Sequence, residues 1–172
     1  MSSAKKFLHG FFKALDYFST FVSIFSLILL IAMIMLQIIL RYVFKSPLFG
    51  IEESEVFPML WLYCGGAMIA SNDRTHISCG LAGVIFKDQR RLAIADCVKD
   101  FITFILSFVG LYIIYPHFTY INSVHKTTVS LHLPTLYCEC AFMVALTIMV
   151  LYTLRDFIKS LEALKMQKRG EA

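Results

Sequence analysis

Residues 17–40, YFSTFVSIFSLILLIAMIMLQIIL, contain no charged side chain. Nothing else in the sequence narrows the possible folds as much. A helix needs roughly 20 apolar residues to cross the hydrocarbon core of a bilayer. Three further runs of that kind follow, at about 51–71, 92–117 and 135–154. Together they use most of the 172 residues, so no separate soluble domain fits. With 58% hydrophobic residues, 16% charged ones and a mean hydropathy of +0.71, the chain is poor in charge for a soluble domain. The expected fold is an all-α integral membrane protein of one domain with four transmembrane helices. The first run follows Lys5, Lys6 and Lys13 as a signal peptide would, but it exceeds the roughly 7–15 residues of such a core and lacks a small-residue cleavage site. It reads as an uncleaved anchor.

Lys and Arg placement sets the expected orientation. Of sixteen such residues, all but Arg41, Lys45 and Lys126 fall before the first run, in the second connection and the first turns of the third run, or after the fourth. Both ends of the chain are therefore expected in the cytoplasm, in a multi-pass membrane protein. The connections around 41–55 and 117–134 are expected outside. The net charge of +4 is mostly this topology signal. No soluble basic face is present for nucleic acid.

Residues 4–16 predict a segment of their own. At about 100° per residue, Phe7, Leu8, Phe11, Phe12, Ala14 and Leu15 divide from Lys5, Lys6, His9, Lys13 and Asp16. Such a helix lies in the inner membrane interface, with Lys5, Lys6 and Lys13 toward anionic headgroups. A second, short interfacial segment is expected between the second and third helices, where Ile77, Leu81, Val84 and Ile85 repeat at helical spacing.

The polar residues inside the runs predict protein contacts. Ser19, Ser23, Ser26, Gln37 and Arg41 form one stripe on the first helix. Polar groups in hydrocarbon need partners, so this stripe should face protein, some of it from another chain. The serine hydroxyls can instead bond their own helix carbonyls. On the second helix, Glu52, Glu53 and Glu55 oppose the positive end of the helix dipole. Pro58 should bend that helix. Gly66 and Ala70 permit close helix approach, and Trp61 is deep enough for its N–H to need an acceptor. A stripe of Asp96, Lys99, Thr103, Ser107, Gly110 and His117 marks the third helix, with Pro116 expected to close its outer end. Glu139 is the one acid of the fourth helix before Asp156.

Catalytic chemistry is not legible. The five cysteines show no zinc spacing and predict no disulfide, and none of the five histidines is placed mid-span to hold haem. No catalytic residue, cofactor or metal is expected. Protein-facing stripes without a central acid suit a subunit. The alternatives are a stand-alone four-helix transporter or a redox membrane anchor.

The hairpin RYVFKSPLFGIEE, residues 41–53, resembles the signature of the small membrane subunit of tripartite ATP-independent periplasmic (TRAP) transporters. So do Leu60-Trp61-Leu62, Gly65-Gly66-Ala67, Arg74 with His76-Ile77, and Ser130 with Leu133-Pro134, in order from about residue 20 to 140. Cys79-Gly80, His132 and Thr135 depart from that pattern. The resemblance implies an inner-membrane scaffold subunit with no enzymatic activity. Its partners would be a large membrane subunit carrying substrate and sodium, and a soluble periplasmic substrate-binding protein delivering an organic acid such as a dicarboxylate or a sialic acid. Candidate residues for the junction with the large subunit are Arg41, Glu52, Glu53, Trp61, Gly66, Gln37, Ser23 and Ser26. Within this chain, Arg41 and Lys45 are the nearest expected counterparts of the Glu52-Glu53 pair, which otherwise caps its helix or reaches the partner.

Overall fold

The computed structural model describes residues 2–45, 49–73 and 89–170. Four helices account for nearly all of them: α1 (Ser2–Tyr42), α2 (Phe49–Asn72), α3 (Gln89–Val124) and α4 (Leu136–Gly170). A bilayer offers no water to pair with a free N–H or C=O, and a helix satisfies both within its own segment. The expected interfacial segment at 77–85 lies outside the described residues, as do Arg74, His76, Cys79 and Gly80.

Among the described residues three stretches are long and apolar enough to cross a membrane: His9–Tyr42, Ile94–Val124 and Leu136–Lys165. The chain is thus an all-helical membrane protein. At 24 residues α2 has the length, but three carboxylates and Pro58 in its first turns dilute its hydropathy.

Two expected boundaries differ. The arm at 4–16 is not a separate segment, because α1 runs without interruption through 16–17. Nothing in Ala14-Leu15-Asp16-Tyr17 breaks a helix, and Gly10 costs only about 1 kcal/mol against alanine. Nor does Pro116 end α3, which continues to Val124. A proline removes one backbone bond and crowds the carbonyl four residues earlier. Here that carbonyl belongs to the exposed Tyr112, while buried Ile121 anchors the helix beyond the interruption.

The helices pack in a row: α1 on α2, α2 on α4, and α4 on α3. Among the described residues α1 and α3 do not pack on each other. The core lies at the α2–α4 seam, where Cys64 and Met68 meet Ala141, Ala145, Ile148 and Tyr152. The last four recur at i, i+4, i+7 and i+11, one face of a helix. Two of them are alanines, which lets the backbones approach. Phe12 and Leu15 of α1, with Trp61 and Val144, close over this cluster. The stripe expected on α3 faces α4: Ser107 is buried, and Gly110 lies under Leu146. The row leaves α1 largely uncovered, with 6% of its apolar stretch buried against 33% for α4.

Candidate functional site

The polar side chains gather at three levels, and each level joins different helices. At the end nearest the 43–49 connection, Gln37 Nε2 of α1 donates to Glu52 Oε1 of α2 at 2.9 Å. Glu53 turns to the other connection. Its carboxylate accepts the backbone N–H of Ser130 at 2.9 and 3.2 Å and the Ser130 hydroxyl at 3.1 Å. Beside this latch Leu131 covers Gly50, so closely that a Cβ at Gly50 would lie 2.8 Å from Leu131 Cγ.

The connection from Lys126 to Thr135 is itself closed by backbone bonds. Thr128 N–H donates to the Leu133 carbonyl at 2.9 Å and Thr135 N–H to the Lys126 carbonyl at 3.0 Å. The Thr128 hydroxyl accepts from Leu133 N–H at 3.0 Å. His125 and His132 take left-handed backbone at φ 48° and 52° to make the turns.

The expected counterparts of the Glu52-Glu53 pair are therefore corrected. Arg41 and Lys45 are exposed, and among the described residues they pair with neither carboxylate. Gln37 lies one turn before Arg41 on the same face of α1, so the first turn of α2 meets it first. Glu139, half-buried, lies 3.3 Å from His117 Nε2 and joins α4 to α3.

At mid-height the α1 stripe meets α2 of its own chain. Ser19 and Ser26 are buried, and Ser23 is partly so. The hydroxyls of Ser19 and Ser23 bond the carbonyls of Leu15 and Ser19 at 2.9 and 2.8 Å, and Ser19 also touches Met68 Sδ at 3.7 Å. The glycine that admits α1 is Gly65. A Cβ there would collide with Ser23 Oγ and lie 3.4 Å from Ser23 Cα. Gly66 is exposed, with open space where its Cβ would be. Of the two adjacent glycines, the one not singled out makes the close approach within the chain. Trp61 packs on the core cluster.

The third level lies toward the start of α1 and the end of α2, and little in the residue pattern marks it. Arg155 reads there as one more basic residue of a cytoplasmic end. In the fold its Nε donates to Asp156 Oδ1 at 2.9 Å, and Nη1 and Nη2 donate to the side-chain and backbone oxygens of Asn72 at 3.0 and 3.4 Å. Asn72 Nδ2 donates in turn to Asp16 Oδ1 at 3.0 Å. The guanidinium stacks 5.0 Å from the Phe12 ring and 5.2 Å from the Tyr152 ring. One residue thus ties α4 to both α1 and α2, with each of its three guanidinium nitrogens donating one hydrogen bond. Nearby, buried Asp100 of α3 accepts a short hydrogen bond from Ser160 of α4, while Asp96 and Lys99 form an exposed pair at 3.7 Å. Asp100 falls at i−3 from Thr103 on the α3 stripe, which was the available signal.

Beside Arg155 an open cleft of about 680 Å³ separates the first turns of α1 from the end of α4. Lys13 is one of its walls; the side chains of Lys5 and Lys6 lie outside the described residues. Among the described residues no three of His, Cys, Asp and Glu come together as a metal site would require.

The pairs on α1 and α2 occur in opposite order: Gln37 with Glu52, Ser23 with Gly65, Ser19 with Met68, Asp16 with Asn72. The two helices are therefore antiparallel neighbours over their shared length. No curated protein matches the chain at significant similarity. A family model described as "Tripartite ATP-independent periplasmic transporters, DctQ component" matches residues 30–163, most of the chain, from the last turns of α1 to beyond the Arg155 clamp. The chain belongs to the DctQ family, the small membrane component of TRAP transporters.

Proposed function

We propose that this chain is the static scaffold subunit of a sodium-coupled importer of an organic acid, bracing a large membrane subunit that carries substrate and ion. The observation that carries this reading is the open row of helices. A helix bundle that holds its own transport path must enclose it, whereas most of the large apolar side chains of α1 from Tyr17 to Ile39 are exposed and free for lipid or another chain. The family assignment replaces the stand-alone-transporter and redox-anchor alternatives, and it names a transporter component, not an enzyme.

The same reading takes α2 as a fourth span. From Gln37 to Asp16 the path along α1 is 21 residues, about 32 Å at 1.5 Å per residue, close to the roughly 30 Å hydrocarbon thickness. Contacts with α2 accompany it over that distance. Four crossings then bring the two ends of the chain to one side. The basic residues assign that side to the cytoplasm of an inner membrane. The latch of Glu53 and the exposed Arg41 fall outside. In the junction with the large subunit we place Arg41, Gly66 and the exposed apolar face of α1, while Ser23, Ser26, Gln37 and Trp61, which pack within the chain, hold that face in position from behind. Glu52 and Glu53 support the junction by holding the two outer connections in place.

The test is reconstitution. The chain with its large subunit and binding protein should give sodium-dependent uptake of an organic acid, chosen by thermal-shift screening of the binding protein. Uptake by this chain alone would overturn the scaffold reading.

A further inference from the structure

The cleft beside Arg155 is built from two walls of different chemistry. Its apolar lining is Leu151, Leu154 and Ile158 of α4 with Phe12 of α1. Leu154 and Ile158 are 38% and 48% exposed, so this wall is not covered by the chain itself. Its rim carries Lys13 on α1 and Lys159 on α4, with His9 and Glu162 beside them. At the back Asp16 accepts a hydrogen bond from the neutral Asn72 amide, and Arg155 pairs with Asp156. Lys13 rests over the Tyr17 ring at 5.9 Å, and among the described residues neither lysine makes an ion pair.

Lys13, Arg155 and Lys159 outnumber the carboxylates Asp16 and Glu162 in the lining, so the cleft favours an anion. A small soluble anion would leave the leucine and isoleucine wall bare, and an acyl chain alone would leave the lysines unmatched. A molecule with a phosphate above an acyl chain satisfies both. The volume is within the roughly 300–1,000 Å³ of known ligand pockets. We propose that the cleft binds one anionic phospholipid, its phosphate between Lys13 and Lys159 and an acyl chain against Leu151, Leu154 and Ile158. The lipid would wedge the first turns of α1 against α4. The proposal rests on the membrane placement given above for this end of the molecule, but binding can be measured in detergent without reference to orientation or transport.

The experiment uses the complex of this chain with its large subunit, delipidated in detergent. Phosphatidylglycerol, phosphatidylcholine and inorganic phosphate are added in turn, and binding is read by native mass spectrometry and thermal shift. Phosphatidylglycerol should be retained and should raise the Tm, with phosphatidylcholine weaker and phosphate inert. Lys13→Gln with Lys159→Gln should weaken phosphatidylglycerol binding about tenfold or more, while Lys126→Gln at the opposite end changes nothing. Leu154→Trp or Ile158→Trp, which fill the apolar wall and leave the charges alone, should weaken it as much; whichever co-purifies with the large subunit serves. Full binding by an assembled wall variant would overturn the proposal in favour of diffuse surface attraction. Stabilisation by phosphate equal to that by lipid, or no preference for the anionic lipid, would overturn it as well.

Discussion

The carboxylate of Glu53 accepts the backbone N–H of Ser130 across 77 residues of sequence, and so the first turn of α2 holds the connection between α3 and α4. The Ser130 hydroxyl adds a third bond to the same carboxylate. Glu53→Ala removes every acceptor and should raise amide exchange at Ser130 and neighbouring Leu131 several-fold. Glu53→Gln keeps one oxygen and should raise it less. Hydrogen–deuterium exchange of the purified complex makes the comparison. Equal protection in wild type and Glu53→Ala would mean that the 126–135 turn holds itself.

Gly65 and Gly66 should respond oppositely to a methyl group. At Gly65 the new Cβ meets Ser23 Oγ, so Gly65→Ala should overpack the α1–α2 contact and cost about 1–3 kcal/mol. Ser23→Ala in the same chain removes the colliding oxygen and should restore part of the loss. Gly66→Ala meets nothing within 4 Å and should leave the chain's own stability unchanged. Gly66→Leu, by contrast, should weaken co-purification with the large subunit if that face is in the junction. Thermal unfolding and pull-down yield read the two effects separately.

Arg155 has the most connected side chain in the described fold. Arg155→Met should cost on the order of 3 kcal/mol, because it removes one half of a buried ion pair and both guanidinium bonds to Asn72. Arg155→Lys should recover little, since an ammonium cannot reproduce the bonds to Asn72 and the stacking on Phe12 and Tyr152 together. A cysteine pair at His9 and Ile158, which line the same cleft from α1 and α4, should cross-link more slowly in Arg155→Met than with Arg155 in place. An unchanged rate would show that Arg155 does not hold α1 against α4.

The orientation can be tested with single cysteines in a cysteine-free background. A cysteine at Ser123, exposed at the end of α3, should react with an impermeant thiol reagent in intact spheroplasts, and one at Ala163 should not. Labelling at Ala163 from outside would reverse the topology. It would also move the proposed lipid cleft to the other leaflet, without changing whether that cleft binds lipid.

The long runs, the antiparallel order of α1 and α2, and the RYVFKSPLFGIEE hairpin were legible in the sequence because each is local. Hydropathy adds up along neighbours, and a bilayer admits few solutions for 20 apolar residues in succession. The stripe Ser19–Ser23–Ser26 was legible as a buried face for the same reason, since a 100° step decides which side chains share a face. Helix ends were less so. The break expected near 16–17 and the stop expected at Pro116 both depend on what packs against the helix, and in the fold Phe12, Leu15 and Ile121 each find cover.

Amino-acid order by itself determined that this chain is helical, membrane-embedded and organised around a charged hairpin between its first two long helices. Only the tertiary structure decided the partners: Glu53 with Ser130, Gln37 with Glu52, Gly65 rather than Gly66 against Ser23, and Arg155 with Asn72 from 83 residues away. The reason is physical. A carboxylate or guanidinium carries the same charge wherever it stands, but in a bilayer its energy depends on which donor or acceptor the neighbouring helix brings to its depth, and only the packing of one helix on the next sets that depth.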